Sequence, residues 1–158
     1  MTTELTLLAW TLVLAFVQIL LFDFARTGQY GLKWNTGARD ETMPPLKPQA
    51  ERLKRAQDNL FETLPLFIGF VLIAHVAGVH STSTALGAQL YFWSRVAYVP
   101  LYAFGVKQIR SLAWMVGIFG LVAHGIQRKW ALTVFCVLSF LLILNLGMDP
   151  GLAGLALI

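Results

Sequence analysis

Residues 51–79 read ERLKRAQDNLFETLPLFIGFVLIAHVAGV. The first three turns are charged, with Glu51, Arg52, Lys54, Arg55, Asp58 and Glu62. From Leu64 to Val79 only His75 interrupts an apolar run. This pattern predicts one helix that starts in water or among lipid headgroups and then enters hydrocarbon. Pro65 sits at the transition, where its missing N–H frees the carbonyl of Phe61 and predicts a kink.

The rest of the chain agrees with a membrane reading. Of its 158 residues 57% are hydrophobic and 13% charged, against about 45–50% and about 25% in soluble domains. A soluble globule of this length has no core large enough for that apolar surplus, and the composition equally excludes disorder. Besides Leu64–Val79, apolar runs cover Leu5–Phe22, Ala85–Val106 (with Pro100 as a second kink), Ser111–Ile126 and Trp130–Gly147. A bilayer core takes about 17–25 helical residues. The first run has Glu4 rather than a basic leader before it, so it predicts a retained transmembrane helix and not a signal peptide. Between it and the second, roughly Ala25–Ala50 is polar and punctuated by Gly28, Gly31, Gly37, Pro44, Pro45 and Pro48, which predicts mostly loop. His80–Thr84 predicts a turn, and residues 148–158 an irregular tail.

The net charge is +4. The cations cluster between apolar runs, which points to a membrane surface and not to nucleic acid. Arg26, Lys33, Arg39, Lys47, Arg52, Lys54 and Arg55 lie between the first and second runs, and Lys107 and Arg110 between the third and fourth. The opposite side has only Arg128 and Lys129. The 25–58 and 107–110 connections are therefore expected to be cytoplasmic and the N-terminus outside. Lone Cys136 reads as a buried structural thiol. His75, His80 and His124 have no ligand spacing, so no metal is expected. No phosphate loop or serine nucleophile elbow is present.

The chemistry concentrates on three helices. Arg55, Asn59 and Glu62 share a face, with Arg52 one turn earlier. Arg95, Tyr98 and Tyr102 share another, and Arg110 and Ser111 open the next helix. A charge at mid-bilayer costs about 2.5–3.5 kcal/mol, so Arg95 and Glu62 are expected to face the interior. Glu62 is expected to pair with Arg95 or Arg55, and Arg95 to hold the polar core together. Lys54, Lys107, Arg128 and Lys129 read as snorkelling cations, and Tyr91, Phe92 and Trp93 as core or interface aromatics. A cavity built this way suits a small anion that also carries an ammonium group. Arg55 and Arg110 would take its carboxylates, Glu62 its amine, and the tyrosine hydroxyls an oxyanion or thiolate. Lipid would supply a hydrophobic second substrate.

The string Glu51 to Pro65 resembles the signature helix of the MAPEG family, the membrane-associated proteins of eicosanoid and glutathione metabolism. Arg95-Val96-Ala97-Tyr98 through Tyr102, followed by Ile109-Arg110-Ser111-Leu112, is similar to the family's third helix and the start of its fourth. The resemblance covers about residues 5–126. It implies a single all-α membrane domain, with residues 1–127 as a four-helix core, and a homotrimer with sites between neighbouring subunits. Residues 128–158 exceed the family's four helices and read as a C-terminal apolar extension, either a further transmembrane helix or a segment along the bilayer or between subunits. It also implies a glutathione-dependent transferase or peroxidase acting on lipophilic electrophiles or lipid hydroperoxides in a bacterial inner membrane, with no metal. By position, Arg26, Arg55, Asn59, Glu62, Tyr98 and Tyr102 would bind glutathione. Arg110 and Ser111 would sit at its sulfur, where a cation and a hydroxyl favour the thiolate. Asp58 stands where eukaryotic members carry an arginine, and Trp114 where some carry a tyrosine. These differences suggest the alternative of a trimeric scaffold or lipid-binding protein that keeps the fold without the chemistry. A transporter or channel subunit is disfavoured, because the apolar runs contain few acidic groups.

Overall fold

The computed structural model describes residues 1–125, and gives only the backbone of Lys107, Gln108, Arg110, His124 and Gly125. The expected fifth run and the tail lie outside the described residues. The first run becomes α1 (Thr3–Tyr30), capped by the Thr2 hydroxyl, which accepts from the Leu5 N–H. Its buried seam is Glu4, Leu8, Thr11, Ala15 and Gln18, spaced alternately four and three apart as in a left-handed bundle. Three of those five side chains are polar. The opposite face carries Trp10, Phe16 and Phe24, which are 57%, 60% and 71% exposed. A helix that turns its polar groups inward and its aromatic groups outward is built for lipid.

The expected loop over Ala25–Ala50 is partly helix. Gly28 costs too little to stop α1. The break comes at Gly31, whose φ of +86° no ordinary residue adopts cheaply. A short α2 (Leu32–Thr36) follows. The chain then returns along the end of α1, where Gln29 donates to the Pro45 carbonyl and accepts from the Lys47 N–H, and Tyr30 donates to the Pro44 carbonyl.

The decisive stretch forms α3 (Pro48–Val76), with Pro48 in the first turn where its missing N–H is harmless. The helix continues through Pro65. A capping box between Ser81 and Thr84 opens α4 (Thr82–Ala103), which runs through Pro100. Gly78 and Gly105 end α3 and α4 in the same way. Each adopts a left-handed conformation, and the next N–H, of Val79 or Val106, returns to the carbonyl five residues back. The 107–110 connection expected between the third and fourth runs is instead the first turn of α5 (Lys107–Gly125), because Gly105 has already reversed the chain.

Three contacts fix the helix directions. The Thr84 hydroxyl donates to buried Glu4 at 2.7 Å, joining the starts of α1 and α4. The Arg52 guanidinium lies against Gly105, joining the start of α3 to the end of α4. Gly120 lies against Gly87 and Tyr91, and Gly117 against Ser94 and Arg95, so α5 runs antiparallel to α4. α1 packs on α3 and α4, and α3 also touches α5. The shared core contains Leu8, Ala15, Leu60, Leu64, Phe67, Val71, Ala88, Tyr91 and Leu121. By length and hydropathy α1 and α3 can each cross a bilayer. α4 is less apolar because Thr84, Ser94 and Arg95 are polar, and all three are buried.

The α4–α5 approach gives a stability prediction with an internal control. A Cβ at Gly120 would stand 2.7 Å from the Gly87 carbonyl oxygen and the Tyr91 nitrogen, both backbone atoms that cannot rotate away. Gly120→Ala is expected to cost about 1–3 kcal/mol or more, seen as a lower melting temperature in detergent. Gly69→Ala, where nothing lies within 4 Å, should be neutral or stabilising by up to about 1 kcal/mol. Equal behaviour of the two variants would contradict this packing.

Candidate functional site

At the end of the bundle where α3 starts, α4 finishes and α5 starts, Asn59, Tyr98, Tyr102, Ser111 and Trp114 line a cavity of about 240 Å³. The fold places them there for simple reasons. Asn59 is one turn before buried Thr63 on the inner face of α3. Tyr98 and Tyr102 are one turn apart on α4, with ring centroids 5.2 Å apart. Ser111 and Trp114 stand one turn apart on α5.

Beneath this cavity lies a network centred on Arg95, which is 1% exposed. Its guanidinium donates to Asn59 Oδ1 at 2.8 Å and to Thr63 Oγ1 at 3.2 Å. Thr63 Oγ1 lies 2.9 Å from the Tyr91 hydroxyl. The Arg95 cation faces the rings of Tyr91 and Tyr98 at 5.1 and 5.9 Å. Tyr91 in turn stacks on Phe67 with centroids 4.1 Å apart. Among the described residues no carboxylate closes an ion pair with Arg95.

Two chemical consequences follow. A guanidinium only donates, so it fixes the Asn59 amide oxygen toward itself and leaves the amide NH₂ as that side chain's free donor. A buried cation hydrogen-bonded only to neutral groups, with Glu62 acting on it from beyond ion-pair distance, also makes its surroundings favourable to an anion. The cavity above it therefore suits a ligand that presents acceptor atoms and negative charge.

The expected pairing of Glu62 is corrected. Arg95 reaches Asn59 and Thr63, which stack four residues apart on the inner face, whereas Glu62 falls beside them and is exposed. Arg55 is exposed and meets Glu51 at 3.6 Å, not Glu62. Arg26 also stays outside the cavity. It pairs with Asp23, donates to Asn35 at 3.0 Å and lies over the Phe22 ring. Arg110 is in the first turn of α5, with its side chain outside the described residues. Of the expected site residues, Asn59, Tyr98, Tyr102 and Ser111 come together in one protomer, while Arg26, Arg55 and Glu62 do not join them. No group of three or more potential metal ligands occurs among the described residues.

Sequence reasoning missed Thr63 as a partner of Arg95, and missed that Tyr91, read as a core or interface aromatic, meets Thr63 through its hydroxyl. The available signal was the spacing of Thr63 four residues after Asn59, on the face already singled out. The buried link from Glu4 to Thr84 was also missed, because Glu4 is isolated in sequence and its partner lies on α4.

Residues 7–127 match the MAPEG family. The chain belongs to that family. The matched span takes in nearly all of α1 and the whole of α2 to α5, and the MAPEG fold is all-α and membrane-embedded. The chain is thus an integral membrane protein. No curated protein matches it significantly. MAPEG members are often glutathione-dependent transferases or peroxidases, and the string from Glu51 to Pro65 that first suggested the family lies inside the match.

Proposed function

We propose that this MAPEG protein is a homotrimeric, glutathione-dependent transferase or peroxidase acting on lipophilic electrophiles or lipid hydroperoxides dissolved in the membrane. The observation that carries the reading is the cavity over the Arg95 network. It has a fixed amide donor, two tyrosines, a serine hydroxyl and a buried cation beneath, and exposed Leu112 and Met115 lie next to its lining residues along α5. Asn59, Tyr98 and Tyr102 bind glutathione in this scheme, and Arg26, Arg55 and Glu62 complete the grip across subunits. An exposed carboxylate at position 62, with no ion pair among the described residues, supports a neighbouring copy as a source of counter-charge. Residues 1–127 form the catalytic core and 128–158 an apolar extension. The N-terminus lies outside, and the 25–58 and 107–110 segments face the cytoplasm of a bacterial inner membrane.

In the reaction, Arg110 and the Ser111 hydroxyl stabilise the thiolate of glutathione. The sulfur lone pair attacks the electrophilic carbon, a thioether bond forms, and the leaving group departs with its electron pair. With a hydroperoxide, the thiolate attacks the distal oxygen and the O–O bond breaks. Protonation of the released alkoxide gives an alcohol, and a second glutathione converts the sulfenic acid to glutathione disulfide and water.

Titrating the purified protein in detergent with glutathione is expected to give saturable heat, and a lipophilic aryl halide to be conjugated. Absence of both would leave the second reading, a trimeric scaffold or lipid-binding protein. That reading is favoured by Asp58, which is engaged by Lys54 at 2.6 Å, and by Trp114, which lines the cavity without a tyrosine's hydroxyl.

A further inference from the structure

A second cavity, of about 480 Å³, lies in the α1–α3 connection and is lined by Tyr30, Lys33, Trp34, Arg39, Asp40 and Glu41 among others. Its volume is in the range of small-ligand sites, and it shares no lining residue with the cavity above Arg95. Several observations mark it as a built site. Trp34 lines it, with Tyr30 edge-on at 4.8 Å and the Arg39 and Arg26 guanidinium groups over the ring at 5.6 and 6.0 Å. Arg39 is locked in place, because Nε and a terminal nitrogen both donate to the Asn35 carbonyl and the terminal nitrogen reaches Asn35 Oδ1 at 2.9 Å. It adopts a left-handed φ of +61°, unlike every other described non-glycine residue, and such strained positions cluster at ligand clamps. The indole Nε1 of Trp34 is buried with no hydrogen-bond partner among the described residues.

The charges decide the ligand class. Lys33 and Arg39 face the same hollow as Asp40 and Glu41, yet none of the four forms an ion pair with another. A simple anion would gain from the two cations and be repelled by the two carboxylates. A zwitterion with a phosphate and a primary ammonium satisfies both pairs. The depth decides the source. Tyr30 is six residues beyond lipid-facing Phe24, about 9 Å along the helix, and Leu32 is 68% exposed beside it. Tyrosine, tryptophan and cations at that level are the marks of the headgroup layer.

We infer that the hollow between Trp34, Arg39 and the Asp40–Glu41 pair binds the headgroup of an amine-bearing zwitterionic phospholipid, with its phosphate on Arg39 and Lys33 and its ammonium on Asp40 and Glu41. The inference does not rest on the glutathione reading, although Arg26, proposed there, touches the Trp34 ring at 6.0 Å and Asn35 at 3.0 Å from outside the hollow's lining.

The test uses the full-length protein, stripped of lipid in detergent and titrated calorimetrically with dihexanoyl phosphatidylethanolamine, dihexanoyl phosphatidylglycerol and soluble O-phosphoethanolamine. The ethanolamine lipid is expected to bind at least about tenfold more tightly than the glycerol lipid, and more tightly than the soluble headgroup. Arg39→Gln is expected to weaken the ethanolamine lipid about tenfold or more. The double change Asp40→Asn with Glu41→Gln is expected to erase the preference for it. All of these residues are exposed, so the fold should survive. Equal binding of both lipids, indifference to the substitutions, or no binding at all would overturn the site. Binding of the soluble headgroup as tight as that of the lipid would overturn the lipid as its occupant.

Discussion

Arg95→Met is expected to leave the fold standing and to weaken glutathione binding by about 10- to 100-fold. The two halves of this result have different causes. Arg95 is 1% exposed and its contacts are amide, hydroxyl and aromatic groups, with the Glu62 carboxylate acting on it only from beyond ion-pair distance. A buried cation without a carboxylate partner is a poor source of stability, and an apolar residue of similar volume can replace such a group at little cost or even a gain. Against that, Asn59 Oδ1 and Thr63 Oγ1 lose their donor, at about 1–3 kcal/mol for each group that finds no other. Thr63 retains the Tyr91 hydroxyl at 2.9 Å, so the net change in melting temperature should be a few degrees in either direction.

Binding has no such compensation. Without Arg95 the Asn59 amide is free to rotate and the cavity loses its only cation among the described side chains. An interaction of that charged kind is worth about 1.5–3 kcal/mol, and each 1.4 kcal/mol is tenfold in Kd. Arg95→Lys keeps the charge but loses the forked geometry that serves two acceptors at once, so it should fall between wild type and Arg95→Met. Calorimetry with glutathione, alongside thermal melting of the same samples, separates the two halves. A purely structural Arg95 would lower the melting temperature of Arg95→Met while leaving the affinity of its folded fraction intact.

The outline of this fold was legible because lipid imposes a one-way rule. Runs such as Leu5–Phe22 and Leu64–Val79 have no soluble use at this length, and the rare charges within them must turn inward. Arg95, Tyr98 and Tyr102 could be placed on one inner face from spacing alone, and the structure puts the two tyrosines in a common cavity with Asn59 and Ser111. The partner of Arg95 was not legible. Electrostatics favours a carboxylate, and Glu62 is close enough in sequence to suggest itself, but helix phase decides. Asn59 and Thr63 are four residues apart and face α4, whereas Glu62 is rotated away by a further step along α3. The end of α1 was misjudged for a related reason. Three glycines suggested a loop, yet only Gly31 takes a backbone angle closed to other residues, so composition marked the region and conformation chose the position. Contacts between distant stretches, such as Glu4 with Thr84 and Gly120 with Gly87, depend on the register between helices, which one sequence does not reveal.

Arg110→Ala is expected to lower turnover of a lipophilic electrophile at neutral pH on the order of 10²–10³-fold, the usual loss when one group stabilising a developing or resting anion is removed. The affinity for glutathione should change only several-fold, because Asn59, Tyr98 and Tyr102 still hold the tripeptide in the proposed site. The pH profile gives the more specific result. An ordinary thiol titrates near pH 8.5, and a neighbouring guanidinium favours the thiolate and so lowers that value. Deleting the cation returns the thiol toward its ordinary range. The variant should then be most impaired near neutrality and should recover part of its rate as pH rises through the thiol pKa, while the wild type changes less over the same interval. Arg110→Lys should retain much of the shift, since a single positive charge near the sulfur is what the effect requires. Ser111→Ala should cost less than Arg110→Ala, because a neutral hydroxyl contributes one weaker hydrogen bond to the same sulfur. If Arg110→Ala kept both its rate at neutral pH and the wild-type profile, the thiolate would have to be stabilised by the Arg95 field and the tyrosines alone, and the start of α5 would lose its place in the reaction.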